Sequence, residues 1–134
     1  MLVVLDTNIL VSALLSPNGR PAEILNLALN QKVRLCYDSR ILTEYEAVLS
    51  RPKFSFEPGD VGKLMSFIQT EGMSVIPTPL TIPFVDQSDA KFYETAKHCH
   101  AALITGNQKH FPEDKETVFT AAEYLEKFMG RRLG

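Results

Sequence analysis

Apolar residues occur along this chain in short runs that predict β-strands. Residues 2–6 begin as an unbroken apolar run and end at Asp6, which is typical of a strand covered on both faces of a sheet. Residues 33–37 alternate between apolar and polar side chains, and residues 101–105 are again mostly apolar. Shorter runs at 73–76 and 118–119 predict a brief third strand and a possible fifth.

Segments with helical spacing separate these runs. They cover residues 9–14, 21–29, 40–49, 61–71, 89–99 and 121–129. Several of them have local start signals: Asp38 or Ser39 caps the third helix, Ser88 caps the fifth, and Thr120 with Glu123 forms a capping box for the last. The chain therefore alternates strands with helices.

This alternation predicts an α/β fold, a three-layer α/β/α sandwich with a central parallel sheet of four to five strands. We expect a single domain over residues 1–134, because no repeat or low-complexity tract divides the chain. Pro77, Pro79 and Pro83 place the segment after the third strand in a loop or at a sheet edge. Ligands bind such sheets outside the carboxyl ends of the strands, where Asp6 and Asn107 are expected.

The composition is that of an ordinary soluble globular protein, with 45% hydrophobic and 22% charged residues. No basic leader or membrane-length apolar run is present, so we expect a cytoplasmic protein without a membrane segment. Cys36 and Cys99 lack the paired spacing of a zinc site and are expected to be reduced core thiols. A formal net charge of −2 argues against broad nonspecific nucleic-acid binding, so any contact with a polyanion should be local.

Three acids are candidate ligands for a hard divalent cation, which prefers carboxylate oxygens. Each also has a structural interpretation. Asp6 could cap the following helix, and Thr7 and Asn8 could orient its carboxylate or help to cap. Glu44 could be a glutamate at the rim of the core, and Asp89 could simply complement a helix dipole.

Other polar residues give weaker signals. Asp86 is more typical of a turn residue than of a ligand, and the histidines form no recognisable ligand set. Lys109 is the preferred phosphate contact, and His110 is a second candidate. The remaining basic candidates for phosphate binding are Arg20, Arg51, Lys53, Lys91, Arg131 and Arg132. The chain contains no Walker loop, GxGxxG, nucleophile elbow or HExxH motif.

Four blocks, in order, resemble the PIN-domain family: VVLDTNIL, SRILTEYEAVL, DQSDAKFYETA and ALITGNQKHF. The likeness covers nearly the whole chain and is closest to small prokaryotic PIN proteins described as toxins of toxin–antitoxin pairs. It implies that Asp6, Glu44 and Asp89 hold one or two Mg²⁺ or Mn²⁺ ions. Asn107 stands where many relatives have a fourth acid, and Ala101 where many have an aspartate.

The resemblance also implies a function: metal-dependent hydrolysis of single-stranded RNA to a 5′-phosphate and a 3′-hydroxyl. Asn8, Thr105 and Asn107 would align water or ligands from behind the metal-binding acids. It further implies a homodimer and a small antitoxin partner. Two alternatives are a noncatalytic RNA-binding PIN domain and a haloacid dehalogenase type of phosphatase, although the latter needs a second acid where Asn8 stands.

Overall fold

The computed structural model describes residues 1–130 of the chain. Its five strands are β1 (Leu2–Leu5), β2 (Arg34–Tyr37), β3 (Met73–Ser74), β4 (Ala102–Ile104) and β5 (Val118–Phe119). They form one parallel sheet in the order β3-β2-β1-β4-β5. Strand β1 lies at its centre, and Val3, Val4 and Leu5 are fully buried, as the unbroken apolar run predicts.

Six helices flank the sheet and complete the three layers. They are α1 (Thr7–Leu15), α2 (Arg20–Leu29), α3 (Ser39–Leu49), α4 (Pro58–Glu71), α5 (Ala90–Cys99) and α6 (Ala121–Met129). Helix α1 packs against α2 and α3, and α5 packs across β1, β2 and β4. Within residues 1–130, no helix is long and apolar enough to cross a membrane.

Most of the predicted helix caps and helix ends are found in the structure. Asp38 caps α3 by accepting a hydrogen bond from the Ile41 amide, and Thr120 with Glu123 forms the predicted capping box. Helix α4 ends at Glu71 and is followed by Gly72, where an added Cβ would lie 2.4 Å from the Ile68 carbonyl oxygen. Only glycine fits this close approach.

Three local predictions need correction. Ser88 does not cap α5: it lies in a 3₁₀ turn (Gln87–Asp89), where Asp86 accepts hydrogen bonds from the Ser88 amide and hydroxyl. Helix α4 begins earlier than predicted, at Pro58 with Glu57 as its cap. Strand β3 ends at Ser74 instead of residue 76, because the proline-rich segment that follows cannot continue the ladder.

Helix α5 is more deeply buried than an amphipathic helix. Every residue from Ala90 to Ala96 is buried, including Lys91 and Glu94. Charged side chains at such positions need partners, because an unpaired buried charge is costly. The partners lie at the carboxyl edge of the sheet and on α3, where the candidate site is found.

Candidate active site

Asp6 directly follows β1 and is only 7% exposed. Its Oδ2 accepts a hydrogen bond of 2.7 Å from the hydroxyl of Thr105, which follows β4 on the neighbouring strand. The side chain makes no capping hydrogen bond to α1, so the structural alternative of a helix cap is not realised. The pKa of Asp6 is raised, first by burial and then by repulsion from Asp89 and Glu44, and the Thr105 bond offsets part of this rise.

Glu44 projects from α3 and is partly buried. One carboxylate oxygen accepts a hydrogen bond from the Thr7 hydroxyl, and the other lies 2.8 Å from Nζ of Lys91. Thr7 therefore orients the carboxylate of Glu44 instead of that of Asp6. Two fixed contacts hold Glu44 at the site, so it is not a free glutamate at the rim of the core.

Asp89 is the last residue of the 3₁₀ turn that leads into α5, and it makes no capping hydrogen bond. Its Oδ2 is buried without a well-formed hydrogen bond, although Nδ1 of His110 lies 3.3 Å away. Burial and the nearby Asp86 carboxylate raise the pKa of Asp89, against smaller opposing effects of His110 and Lys91. A buried carboxylate oxygen without a good donor is a position suited to a cation.

Asn8, Thr105 and Asn107, which were expected to support the acids, make different contacts. Thr105 is fully buried, donates to Asp6 and accepts a 3.0 Å hydrogen bond from the Asn107 amide. Asn8 does not touch an acid: its Oδ1 accepts a 3.3 Å hydrogen bond from the Gly106 amide and ties the start of α1 to the end of β4. The Asn107 side chain is exposed and makes no capping bond.

The two candidate phosphate contacts are separated by the structure. Lys109 is exposed and lines a groove of about 850 Å³ between its loop and α6, where Phe111 and Phe119 supply apolar surface. His110 instead faces Asp89. Arg131 and Arg132 lie outside the described residues.

The carboxylate oxygens of Asp6, Glu44 and Asp89 suit a hard divalent cation. They do not, however, form a complete coordination site. Asp6 and Asp89 are mutually repelling carboxylates, and Asp89 has an unsatisfied buried oxygen. In the described part of the chain, however, no group of three or more Asp, Glu, His or Cys side chains is placed to share one metal ion. The carboxylate of Glu44 is engaged by Lys91 and Thr7.

Two residues of the site make contacts that the sequence did not indicate. Lys91 is one of several basic residues in the chain, and only its buried position beside Glu44 distinguishes it. Tyr45 is fully buried, and its hydroxyl donates a 2.5 Å hydrogen bond to the Leu5 carbonyl just before Asp6. The only sequence signal for either is a polar group on an otherwise buried helical face.

A second ion-pair network joins α3 to α5. Arg40 reaches Asp38 at 2.7 Å and Glu94 at 3.0 Å, and Glu94 accepts a hydrogen bond from the Leu80 amide. Burial works against the charged form of Arg40, but its two carboxylate partners outweigh this effect and raise its pKa. The Leu80 bond ties the proline-rich segment to α5.

Comparisons with known proteins agree with this fold. A solved structure of VapBC2 from Rickettsia felis, bound to a DNA fragment from its promoter, superposes with a TM-score of 0.59 over 90% of this chain and 98% of that one, at 17% identity. That likeness concerns the fold alone.

The sequence comparisons are more specific. An uncharacterized protein of Methanocaldococcus jannaschii, MJ1680, is 34% identical over 109 residues, which are 79% of this chain and 70% of that protein. The family model described as PIN domain matches residues 2–109, a span that includes all three acids and Asn107. This match confirms the resemblance carried by the four sequence blocks, and the chain belongs to the PIN-domain family.

Proposed function

We propose that this protein is a metal-dependent endoribonuclease that hydrolyses single-stranded RNA to a 5′-phosphate and a 3′-hydroxyl. The observation that supports this most is the pairing of Asp6 and Asp89 at the carboxyl edge of the sheet. Their pKa values are both raised by burial and by neighbouring carboxylates. Burial and repulsion make these carboxylates unfavourable in the protein alone. A bound cation offsets both effects.

Mg²⁺ or Mn²⁺ would be held by Asp6, Glu44 and Asp89. The chemistry that such a cation supplies when bound is activation of water and stabilisation of negative charge on the phosphate. The chain's own residues prepare the site for it. Thr105 fixes one oxygen of Asp6, and Thr7 fixes one oxygen of Glu44.

Substrate contact is assigned to groups on the open side of the acids. Asn107 presents an exposed amide, and Lys109 and His110 follow it in a 3₁₀ turn. Lys109 supplies a positive charge for a phosphate backbone, and the ring of His110 supplies a hydrogen-bonding group beside Asp89. This is the local contact that the net charge of −2 requires, because the surface as a whole is not basic.

The test is incubation of purified protein with single-stranded RNA and Mn²⁺, alongside Asp6→Asn, Asp89→Asn and the control Asp60→Asn. Asp60 is an exposed aspartate on α4, so its variant has the same charge change away from the site. We expect cleavage by the wild type and the control, and its loss in the two site variants and in EDTA. Equal cleavage by all four proteins would identify a contaminating nuclease and remove the assignment.

A second candidate function, noncatalytic RNA binding, is favoured by the engagement of Glu44 with Lys91 and by the neutral Asn107. A gel-shift experiment followed by sizing of the RNA separates the two. An RNA binder retains RNA of unchanged length in Mn²⁺, whereas the nuclease shortens it.

The expected partners are also part of the proposal. We infer a single-domain cytoplasmic protein that forms a homodimer and is inhibited by a small antitoxin. The resemblance to toxin PIN proteins supports this, as does the fold that the chain shares with VapBC2. Light scattering of the purified protein tests the dimer, and inhibition of RNA cleavage by the product of an adjacent small gene tests the antitoxin.

A further inference from the structure

Lys91 is a buried cation inside a cluster of acids. Only 8% of the residue is exposed, and Nζ lies 2.8 Å from Oε1 of Glu44. Nζ also donates to the carbonyl of Ser88 and lies 4.8 Å from the ring centroid of Phe92. The ammonium is thus held by a carboxylate, a carbonyl and an aromatic face.

The local backbone does not explain this position. Lys91 lies in the first turn of α5, where the helix dipole disfavours a positive charge. Burial disfavours the charge as well. Both costs must be offset by the acids, so Lys91 belongs electrostatically to the site and not to the helix.

The charges at the site then balance in a specific way. Asp6, Glu44 and Asp89 provide three negative charges and Lys91 provides one positive charge. Two negative charges remain on these four side chains, which equals the charge of one divalent cation; Asp86 and His110 also lie beside Asp89 and are not part of this count. The place where many relatives have a fourth acid holds the neutral Asn107, so it adds nothing to this balance.

The distribution of contacts agrees with the balance of charge. Glu44 is satisfied by Lys91 and Thr7, whereas Oδ2 of Asp89 is buried without a well-formed hydrogen bond, with Nδ1 of His110 3.3 Å away. The need for a cation is therefore concentrated at Asp6 and Asp89. The negative charge of Glu44 is already compensated by the ammonium of Lys91.

We propose that Lys91 takes the place of a second metal ion: its ammonium neutralises Glu44, so that the site binds one divalent cation, held mainly by Asp6 and Asp89. This inference rests on the proposed function, because it concerns the same acids. Lys91 acts here as a positioning residue that holds Glu44 and sets the number of metal ions. Lys91 and Glu44 also line an open groove of about 530 Å³ together with Arg40 and Thr43.

The test is Mn²⁺ binding measured by isothermal titration and by electron paramagnetic resonance, without RNA. The proteins are the wild type, Lys91→Met, Lys91→Arg and the control Lys63→Met, which removes an exposed charge on α4. The wild type, the arginine variant and the control should saturate at one Mn²⁺ per chain with the spectrum of an isolated ion. Lys91→Met should take up a second Mn²⁺, seen as a coupled pair, or bind one ion at least roughly tenfold more tightly.

Two Mn²⁺ ions bound per wild-type chain would overturn the inference whether or not Lys91→Met folds, and would leave the proposed nuclease intact. Binding by a folded Lys91→Met that equals the wild type would also overturn it. Absence of Mn²⁺ binding by the wild type, or binding unaffected by Asp6→Asn, would overturn the proposed metal-dependent function itself. The melting temperature of each variant shows which of them are folded.

Discussion

The hydroxyl of Thr105 can be removed at almost constant side-chain shape by Thr105→Val. This hydroxyl donates to Oδ2 of Asp6 at 2.7 Å and accepts from the Asn107 amide at 3.0 Å, in a fully buried position. A net hydrogen bond to a charged group stabilises by about 1.5–3 kcal/mol, and a neutral one by about 1 kcal/mol. We therefore expect the free energy of unfolding to fall by about 2–4 kcal/mol, because both partners lose their bond.

Urea unfolding at neutral pH measures this loss, provided that the slope of the transition is unchanged. Thr105→Ser is the matched control, since it keeps the hydroxyl and removes one methyl group, at a cost of about 1 kcal/mol. The valine variant should also bind Mn²⁺ about 10–100-fold more weakly, because the Thr105 bond fixes the orientation of Asp6. If Thr105→Ser proved as unstable as Thr105→Val, the hydroxyl would not be the stabilising group and the reasoning would be refuted.

Two further predictions concern stability. Tyr45→Phe leaves the buried carbonyl of Leu5 without its donor and should lower the free energy of unfolding by about 1–3 kcal/mol, and an unchanged urea midpoint would contradict this. Burial alone would raise the pKa of Asp114, but hydrogen bonds from Tyr93 and Lys97 outweigh it, so the folded-state pKa is lowered. The resulting stabilisation is present above the unfolded pKa of about 3.9 and is lost as the pH falls through the folded value. Asp114→Asn should therefore be less stable than wild type at pH 7, with a gap that narrows at low pH in urea titrations, and a constant gap would refute the pairing.

The sequence was most informative where a structural signal is local. The capping box of Thr120 and Glu123 acts over three residues, and the side chain of Asp38 reaches the amide three residues ahead. Such bonds depend on the backbone of a single helical turn, so their residues can be recognised without knowing the fold. The assignment of a cap to Ser88 failed because the neighbouring Asp86, a stronger acceptor, forms a turn before the helix starts.

Only part of the candidate site could be predicted from the sequence. The positions of Asp6 and Asp89 at the ends of elements follow from the apolar pattern, and the structure brings Asp89 close enough for its charge to raise the pKa of Asp6. The pairing of Glu44 with Lys91 joins residues 47 positions apart in the chain, and no periodicity reports such a contact. The same holds for Tyr45, because its bond to Leu5 depends on how α3 crosses the end of β1.

The sequence by itself determined the strands, the helices and the parallel α/β class, because hydrophobic periodicity and capping follow from the geometry of single elements. It also supplied the three candidate acids, which lie within the span matched by the PIN-domain model. Only the tertiary structure decided which charges meet. Thr105 reaches Asp6 across 99 residues, and Lys91 instead of a third free ligand faces Glu44, since strand order and helix packing set these distances.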